Sequence, residues 1–202
     1  AAAGTPTGVK VTTIDPGQPE TVTSARSAVF TAEDEEETEV VAADGTPKVV
    51  PMPTIITRKQ WGAGAGTSCS APVTQSKALG VVVHHTAGSN TYTKAESAGL
   101  VRGYQSYHVK GHGWCDIGYN FLVDRFGRIW EGRFGGIDKP VVGAHTLNYN
   151  DYSFAMSAIG NFDTVQPPDA MLRAYGQLFA WKLSLHGVNP ASTSQVIGRK
   201  TF

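Results

Sequence analysis

The run Val81-Val82-Val83-His84-His85-Thr86-Ala87-Gly88 carries a β-branched apolar stretch into two imidazoles and a glycine-bearing loop. Consecutive β-branched residues read as a strand buried on both faces, and such a strand fixes the backbone from which the next side chains project. Neighbouring strand residues point to opposite faces, so His84 and His85 cannot serve one site together unless the strand breaks between them. One of the pair is then a functional candidate and the other structural. A neutral imidazole is the commonest metal ligand, yet a histidine beside a core strand is also often just a satisfied polar group. Both readings stand on this feature alone.

Around that strand the chain alternates between strand and helix signals. Ile55-Ile56-Thr57-Arg58 and Trp61 open the folded part, and a Gly- and Ser-rich loop leads to Leu79. Between Ala95 and His108, residues Ala98, Val101, Gln105 and His108 fall on one stripe and Leu100, Tyr104 and Tyr107 on the next, with Gly111 and Gly113 as stops. That spacing predicts a helix. Ile117 to Val123 and Arg128 to Glu131, separated by Asp124-Arg125-Phe126-Gly127, predict a β-hairpin. Pro140 to His145 and Ser153 to Ile159 are further strand candidates, and Pro167-Pro168-Asp169 opens a last helix through Leu172, Tyr175, Leu178, Phe179, Lys182 and Leu185 to Gly187. The order βαβββα, with a short coil after it, predicts an α/β sandwich around a central mixed sheet flanked by helices.

Charge divides the chain in two. Residues 1–53 hold nine acids and three bases, a net of −6 that leaves +6 for the rest of a chain with 17 of each. This acidic part is Thr- and Pro-rich, has Phe30 as its one aromatic and carries Glu33-Asp34-Glu35-Glu36-Glu37, so it reads as a disordered, flexible leader. It is either a solvated linker or a shield for the basic domain until that domain meets an anionic surface. Residues 54–202, in a chain 41% hydrophobic, suffice for one domain with its own core. No stretch approaches the roughly 18 apolar residues of a membrane span, and no signal peptide opens the numbering, so a secretory signal is absent or already removed.

Cys69 and Cys115 have no second cysteine at metal-knuckle spacing. A disulfide is the preferred reading, with two buried free thiols as the alternative. A bridge would close a loop of about 45 residues, worth about 4 kcal/mol in the chain-entropy model, and would imply an oxidising compartment. His108 and His112 are four apart, a spacing that can clasp zinc on a helix, but the glycines beside them favour packing at a helix end. Tyr119 follows Gly118 at the start of the hairpin and is either packing or a phenol pointing out of the sheet. His145 precedes the polar stretch Asn148-Tyr149-Asn150, which is suited to hydrogen-bonding a sugar or peptide.

Residues 55–187 resemble the peptidoglycan recognition protein and type 2 N-acetylmuramoyl-L-alanine amidase family, which includes the amidase-type phage lysozymes. Five motifs in order carry the resemblance: Ile56-Thr57-Arg58-Lys59-Gln60-Trp61-Gly62, Val83-His84-His85-Thr86-Ala87, Asp116-Ile117-Gly118-Tyr119-Asn120-Phe121-Leu122-Val123, Trp130-Glu131-Gly132-Arg133 and Val142-Gly143-Ala144-His145-Thr146. The resemblance implies a secreted zinc hydrolase that cuts the amide between the lactyl group of muramic acid and L-alanine of the stem peptide. It places His84 as a zinc ligand with His85 turned away toward the core. Tyr119 becomes the phenol beside the metal, and His145 lines the substrate groove with Thr86, Trp114 and Asn150. Such a zinc ion keeps one position for water, whose pKa it lowers.

The sequence departs from the family pattern after the last helix. The two remaining zinc ligands, expected in a Gly-His-Arg-Asp segment and a following Cys or Asp, have no counterpart in Val196-Ile197-Gly198-Arg199-Lys200. Either the numbered domain lacks its C-terminal end, with those ligands beyond Phe202, or it is a peptidoglycan-binding module without catalysis. The first expectation accounts for the tyrosine at 119. Peptidoglycan or a muropeptide is the expected partner, with anionic wall polymers a further one for the basic domain; no nucleic-acid motif accompanies the charge.

Overall fold

The computed structural model describes residues 49–64 and 68–188. Most of the acidic leader and the Val196-to-Lys200 segment therefore lie outside the described residues. The described elements are β1 (Ile55–Ile56), α1 (Arg58–Trp61), β2 (Gly80–His85), α2 (Ser97–Ser106) continued by a π-helical segment (Tyr107–Gly111), β3 (Phe121–Val123), β4 (Ile129–Glu131), β5 (Ser153–Ala158) and α3 (Asp169–Ser184). Five strands form one mixed sheet in the order β1-β4-β3-β5-β2. β3 and β4 are the expected antiparallel hairpin, while β1 with β4, β3 with β5, and β2 with β5 run parallel.

The period-two alternation of the strands assigns each face to a different helix layer. Phe121, Val123, Ile129, Phe154 and Met156 pack with Met171, Ala174, Leu178 and Trp181 of α3. Leu122 and Trp130 turn the other way, to Trp61 of α1 and Val101 of α2. Val81 and Val83 join the α3 side, which sends His85 to that side and His84 to the α2 side. Two polar side chains tie α3 down. Tyr175 Oη lies 3.1 Å from both the His84 and Met156 carbonyls. Lys182, 2% exposed, donates to the carbonyls of Ile137 and Lys139 at 2.7 Å each.

Several boundaries differ from the sequence expectation; the first hairpin strand, expected from Ile117, begins at Phe121. The first strand stops at Ile56 because Thr57 and Gln60 form a capping box that starts α1. The helix expected from Ala95 to His108 begins at Ser97, and its last turn widens into the π-helical segment that carries His108. Pro140 to His145 is not a strand. It touches β structure only through a Thr74–Val141 bridge, since Pro140 has no N–H to offer a ladder, and Val142 and Ala144 donate instead to the loop carbonyls of Val73 and Gly118. Cys69 and Cys115 are joined as a disulfide with Cα atoms 4.8 Å apart, tying the loop after α1 to the approach to β3. No described helix is long and apolar enough to cross a membrane.

Candidate functional site

At the end of β2 the His84 ring centroid lies 5.5 Å from that of Tyr119 and 5.7 Å from that of His145. Three chain segments have to meet for this to happen, and two buried positions bring them together. Asn120, just before β3, donates to the Val141 carbonyl at 2.8 Å and accepts the Ala155 N–H of β5 at 2.9 Å, so one amide pins the 141–146 loop against the sheet. Gly118 supplies the close approach: a Cβ there would sit 2.5 Å from the Ala144 carbonyl oxygen and 2.7 Å from the Trp114 ring. Asn150 closes the loop from its far side, its Oδ1 accepting the N–H groups of His145 and Thr146 at 2.9 and 3.0 Å.

Thr146 sits between the two histidines, its hydroxyl 3.0 Å from His84 Nε2 and 3.0 Å from His145 Nδ1. On the other flank Tyr119 meets His108, at 5.4 Å between centroids, and the indole of Trp114 stacks with His108 at 4.8 Å and with His112 at 5.1 Å. His108 Nδ1 accepts the Gly118 N–H at 3.2 Å. The His108–His112 pair is thus committed to stacking and to a backbone hydrogen bond, in line with helix-end packing. Thr86 stands apart from the His84, Tyr119 and His145 rings. Its hydroxyl bonds Tyr104 Oη at 2.9 Å and accepts the Gly160 N–H at 3.0 Å, bracing the turn in which Ala87 takes a left-handed φ of 53°. His85 points away from the hollow, its Nδ1 accepting the Phe162 N–H at 2.9 Å.

Burial sets the electrostatics. It pushes the pKa of His84 down to about 4, with His85 adding to the effect, and that of His108 down to about 4, with His112 and Arg133 adding and Asp116 opposing. His145 is pushed down to about 3 by burial first and then by His84, against the Ser153 backbone. All three imidazoles are neutral at pH 7, hence able to offer a lone pair. Burial raises the Tyr119 phenol, with the Ser157 hydroxyl pulling the other way, so Tyr119 is a hydrogen-bond donor at neutral pH.

This fold, with a histidine and a tyrosine at its strand ends, has counterparts among known proteins. A family model for N-acetylmuramoyl-L-alanine amidase matches residues 74–201. The chain belongs to that family. It is 37% identical over 121 residues to peptidoglycan-recognition protein SC2 of Drosophila simulans, covering 60% of this chain and 62% of that relative, so it spans less than two thirds of the relative's length. Among solved structures, Drosophila PGRP-LB wild-type superposes with a TM-score of 0.59 at 32% identity over 68% of this chain and 78% of that one. Peptidoglycan recognition protein-LE in complex with tracheal cytotoxin, described as monomeric diaminopimelic acid-type peptidoglycan, gives 0.59 at 38% identity over 66% and 76%.

The zinc expected of this amidase family needs three protein donors, and the described residues supply too few. No three of His, Cys, Asp and Glu come together among them in a group able to hold a metal. Cys115 is in its disulfide, and the stretch from 189 to 202 contains none of the four residue types. As a single donor His84 fits; as a complete site the described residues do not. The amidase-family reading also passed over Thr146 and Ser157. Ser157 lies on β5 directly opposite His84 in the parallel register, a pairing of two strands distant in sequence that periodicity cannot reveal.

Proposed function

We propose that this chain is the peptidoglycan-binding and substrate-positioning domain of a zinc-dependent N-acetylmuramoyl-L-alanine amidase, acting on the amide between the muramic acid lactyl group and L-alanine. The observation that carries the proposal is the convergence of the His84, Tyr119 and His145 rings at the end of β2 in an amidase-family fold. The complex of a structural relative with monomeric peptidoglycan supports the substrate class. His84 is one zinc donor of the proposed site, which needs two more that neither the described residues nor positions 189–202 supply. Bound zinc would acidify a water and polarise the amide carbonyl. Tyr119 keeps its proton and donates a hydrogen bond to the attacking water or the developing oxyanion. His145 and Trp114 line the groove, while Asn150 and Thr86 hold the loops that shape it.

A second reading, a peptidoglycan-binding module without hydrolysis, is favoured by one specific observation: the lack of a three-donor group among the described residues. Incubating insoluble peptidoglycan with the product of the whole reading frame, any residues encoded after Phe202 included, separates the two. Amidase action predicts wall binding, bound zinc by elemental analysis and release of free L-alanine amino termini, with His84→Ala removing zinc and release together. Binding with neither zinc nor release leaves the module; no binding removes both. The disulfide supports an extracytoplasmic location, secreted or wall-associated. The basic domain suits approach to anionic wall polymers, an attraction that salt would weaken.

A further inference from the structure

Lys182 brings a charge into the apolar side of the sheet. It stands in the last turn of α3, is 2% exposed, and forms no ion pair with a carboxylate among the described residues. Taking an ammonium out of water is costly unless other oxygens replace its hydration. Here the replacement comes from one short stretch of chain: Nζ donates to the carbonyls of Ile137 and Lys139 at 2.7 Å each, while the Phe121 and Trp181 rings lie 5.9 and 5.7 Å away. An apolar side chain of similar length would fill the same space without that cost, so packing alone does not account for a lysine.

The stretch that Lys182 holds leads into the groove. Gly135 and Gly136 precede it at φ of 134° and 107°, values that favour glycine and leave the backbone there without a side-chain anchor. The carbonyls of 137 and 139 are the next fixed points. That of Lys139 also accepts the Val141 N–H at 2.8 Å, so the ammonium and the following segment share one oxygen. Further anchors then succeed one another: the Pro140 carbonyl accepts the Gln75 N–H, the Val141 carbonyl accepts the Asn120 amide, Val142 N–H donates to Val73 and Ala144 N–H to Gly118. His145 comes next. All of these later bonds are between neutral groups, and the one from Lys182 is charge-assisted, hence the strongest of the series. We infer that Lys182 is a positioning residue of the groove: although it belongs to α3, its ammonium fixes the 137–141 segment and, through it, the place of His145. This rests on the reading of His145 as a groove residue under the proposed function.

Amide hydrogen exchange, read by NMR on the full chain, compares the wild type with Lys182→Met, which is similar in length and has no donor. The amides of Val141, Val142 and Ala144 should exchange faster in the variant by about tenfold or more, the equilibrium factor for a lost charge-assisted hydrogen bond, measured against the helical amides of Val101 and Tyr104 in α2. Titration with a soluble muramyl peptide should show its Kd weakened by about tenfold as well, the same factor carried into the groove. A merely structural lysine would speed the loop and α2 amides by one common factor. That uniform result overturns the inference, as do loop amides unchanged in a folded Lys182→Met or a muramyl-peptide affinity equal to that of the wild type. Should the methionine variant not fold, Lys182→Gln, shorter and uncharged, is held to the same criteria. A wild-type chain that binds no muramyl peptide removes the proposed function, and the exchange comparison still decides whether Lys182 holds the loop.

Discussion

On the α3 side of the sheet Phe121, Val123, Phe154 and Met156 meet Met171, Ala174 and Leu178, whereas the α2 side sets Gln105, His108, Asp116 and Ser157 among Leu122, Trp130 and Ile117. All of these residues are buried, yet the two faces handle polarity differently. Two polar side chains of α3 are satisfied, Tyr175 Oη lying 3.1 Å from two carbonyls and Lys182 Nζ donating to two more, although His186 Nε2 just past the helix is buried without a partner. Around the hollow, Ser157 Oγ and His145 Nε2 are buried with no hydrogen-bond partner of good geometry. An unpaired buried polar atom costs about 1–3 kcal/mol, so a fold retains such atoms where something other than packing selects them. The α3 face is the more apolar of the two and the α2 face carries the side chains proposed above for function, although both hang on the same strands.

The sharpest way to break that division is to damage the apolar face. Leu178 is fully buried in the α3 cluster, and Leu178→Ala is expected to cost about 2–5 kcal/mol of unfolding free energy, read from urea titration. Wall binding by the fraction still folded should stay at its wild-type level. A loss of binding larger than the loss of folded protein would mean that the α3 face shapes the hollow directly.

Acid probes the other face. His108 Nδ1 accepts a backbone N–H, which only the neutral ring can do, and its pKa is pushed down to about 4 from 6.5. The unfolded chain therefore binds more protons than the folded one between those values. Stability is fully present above about pH 6.5 and is lost as pH falls toward 4, at no more than about 1.4 kcal/mol per pH unit for each such histidine. His84 and His145, lowered by the same cause, steepen the fall in metal-free protein. Denaturant titrations at several pH values should give a shallower slope for His108→Gln, by about one proton. Parallel curves for the two proteins would refute the buried neutral histidine.

How much of this was legible in the sequence follows from the range of each interaction. The β-branched run at Val81 to Val83, the hairpin around Asp124 to Gly127 and the stripe of the last helix are local patterns, and each gave an element of the right type. The opposite orientations of His84 and His85 followed from strand alternation alone. Pro140 to His145 misled because a Val-Val pair resembles a strand until one asks where its N–H groups go, and Asn120 and Gly118, distant in sequence, hold that segment instead. The same blindness hid Thr146 and Ser157, whose importance lies in which distant ring or strand they face.

The smallest expected effect on stability belongs to the residue placed closest to the chemistry. Tyr119→Phe removes one hydroxyl and leaves the ring against His84 and His108, so the aromatic packing on the α2 side survives. Because that hydroxyl is buried beside Ser157, its loss should change unfolding free energy by no more than about 1 kcal/mol. Wall binding and any bound zinc should persist, while release of L-alanine amino termini by the amidase falls, typically by about a hundredfold or more for a lost oxyanion donor. This variant sharpens the contrast with Leu178→Ala, since one loses fold and keeps its site while the other keeps fold and loses function. If Tyr119→Phe instead unfolds the domain as Leu178→Ala would, the phenol is a structural member of the α2 core, and the hollow loses its claim to be built for catalysis.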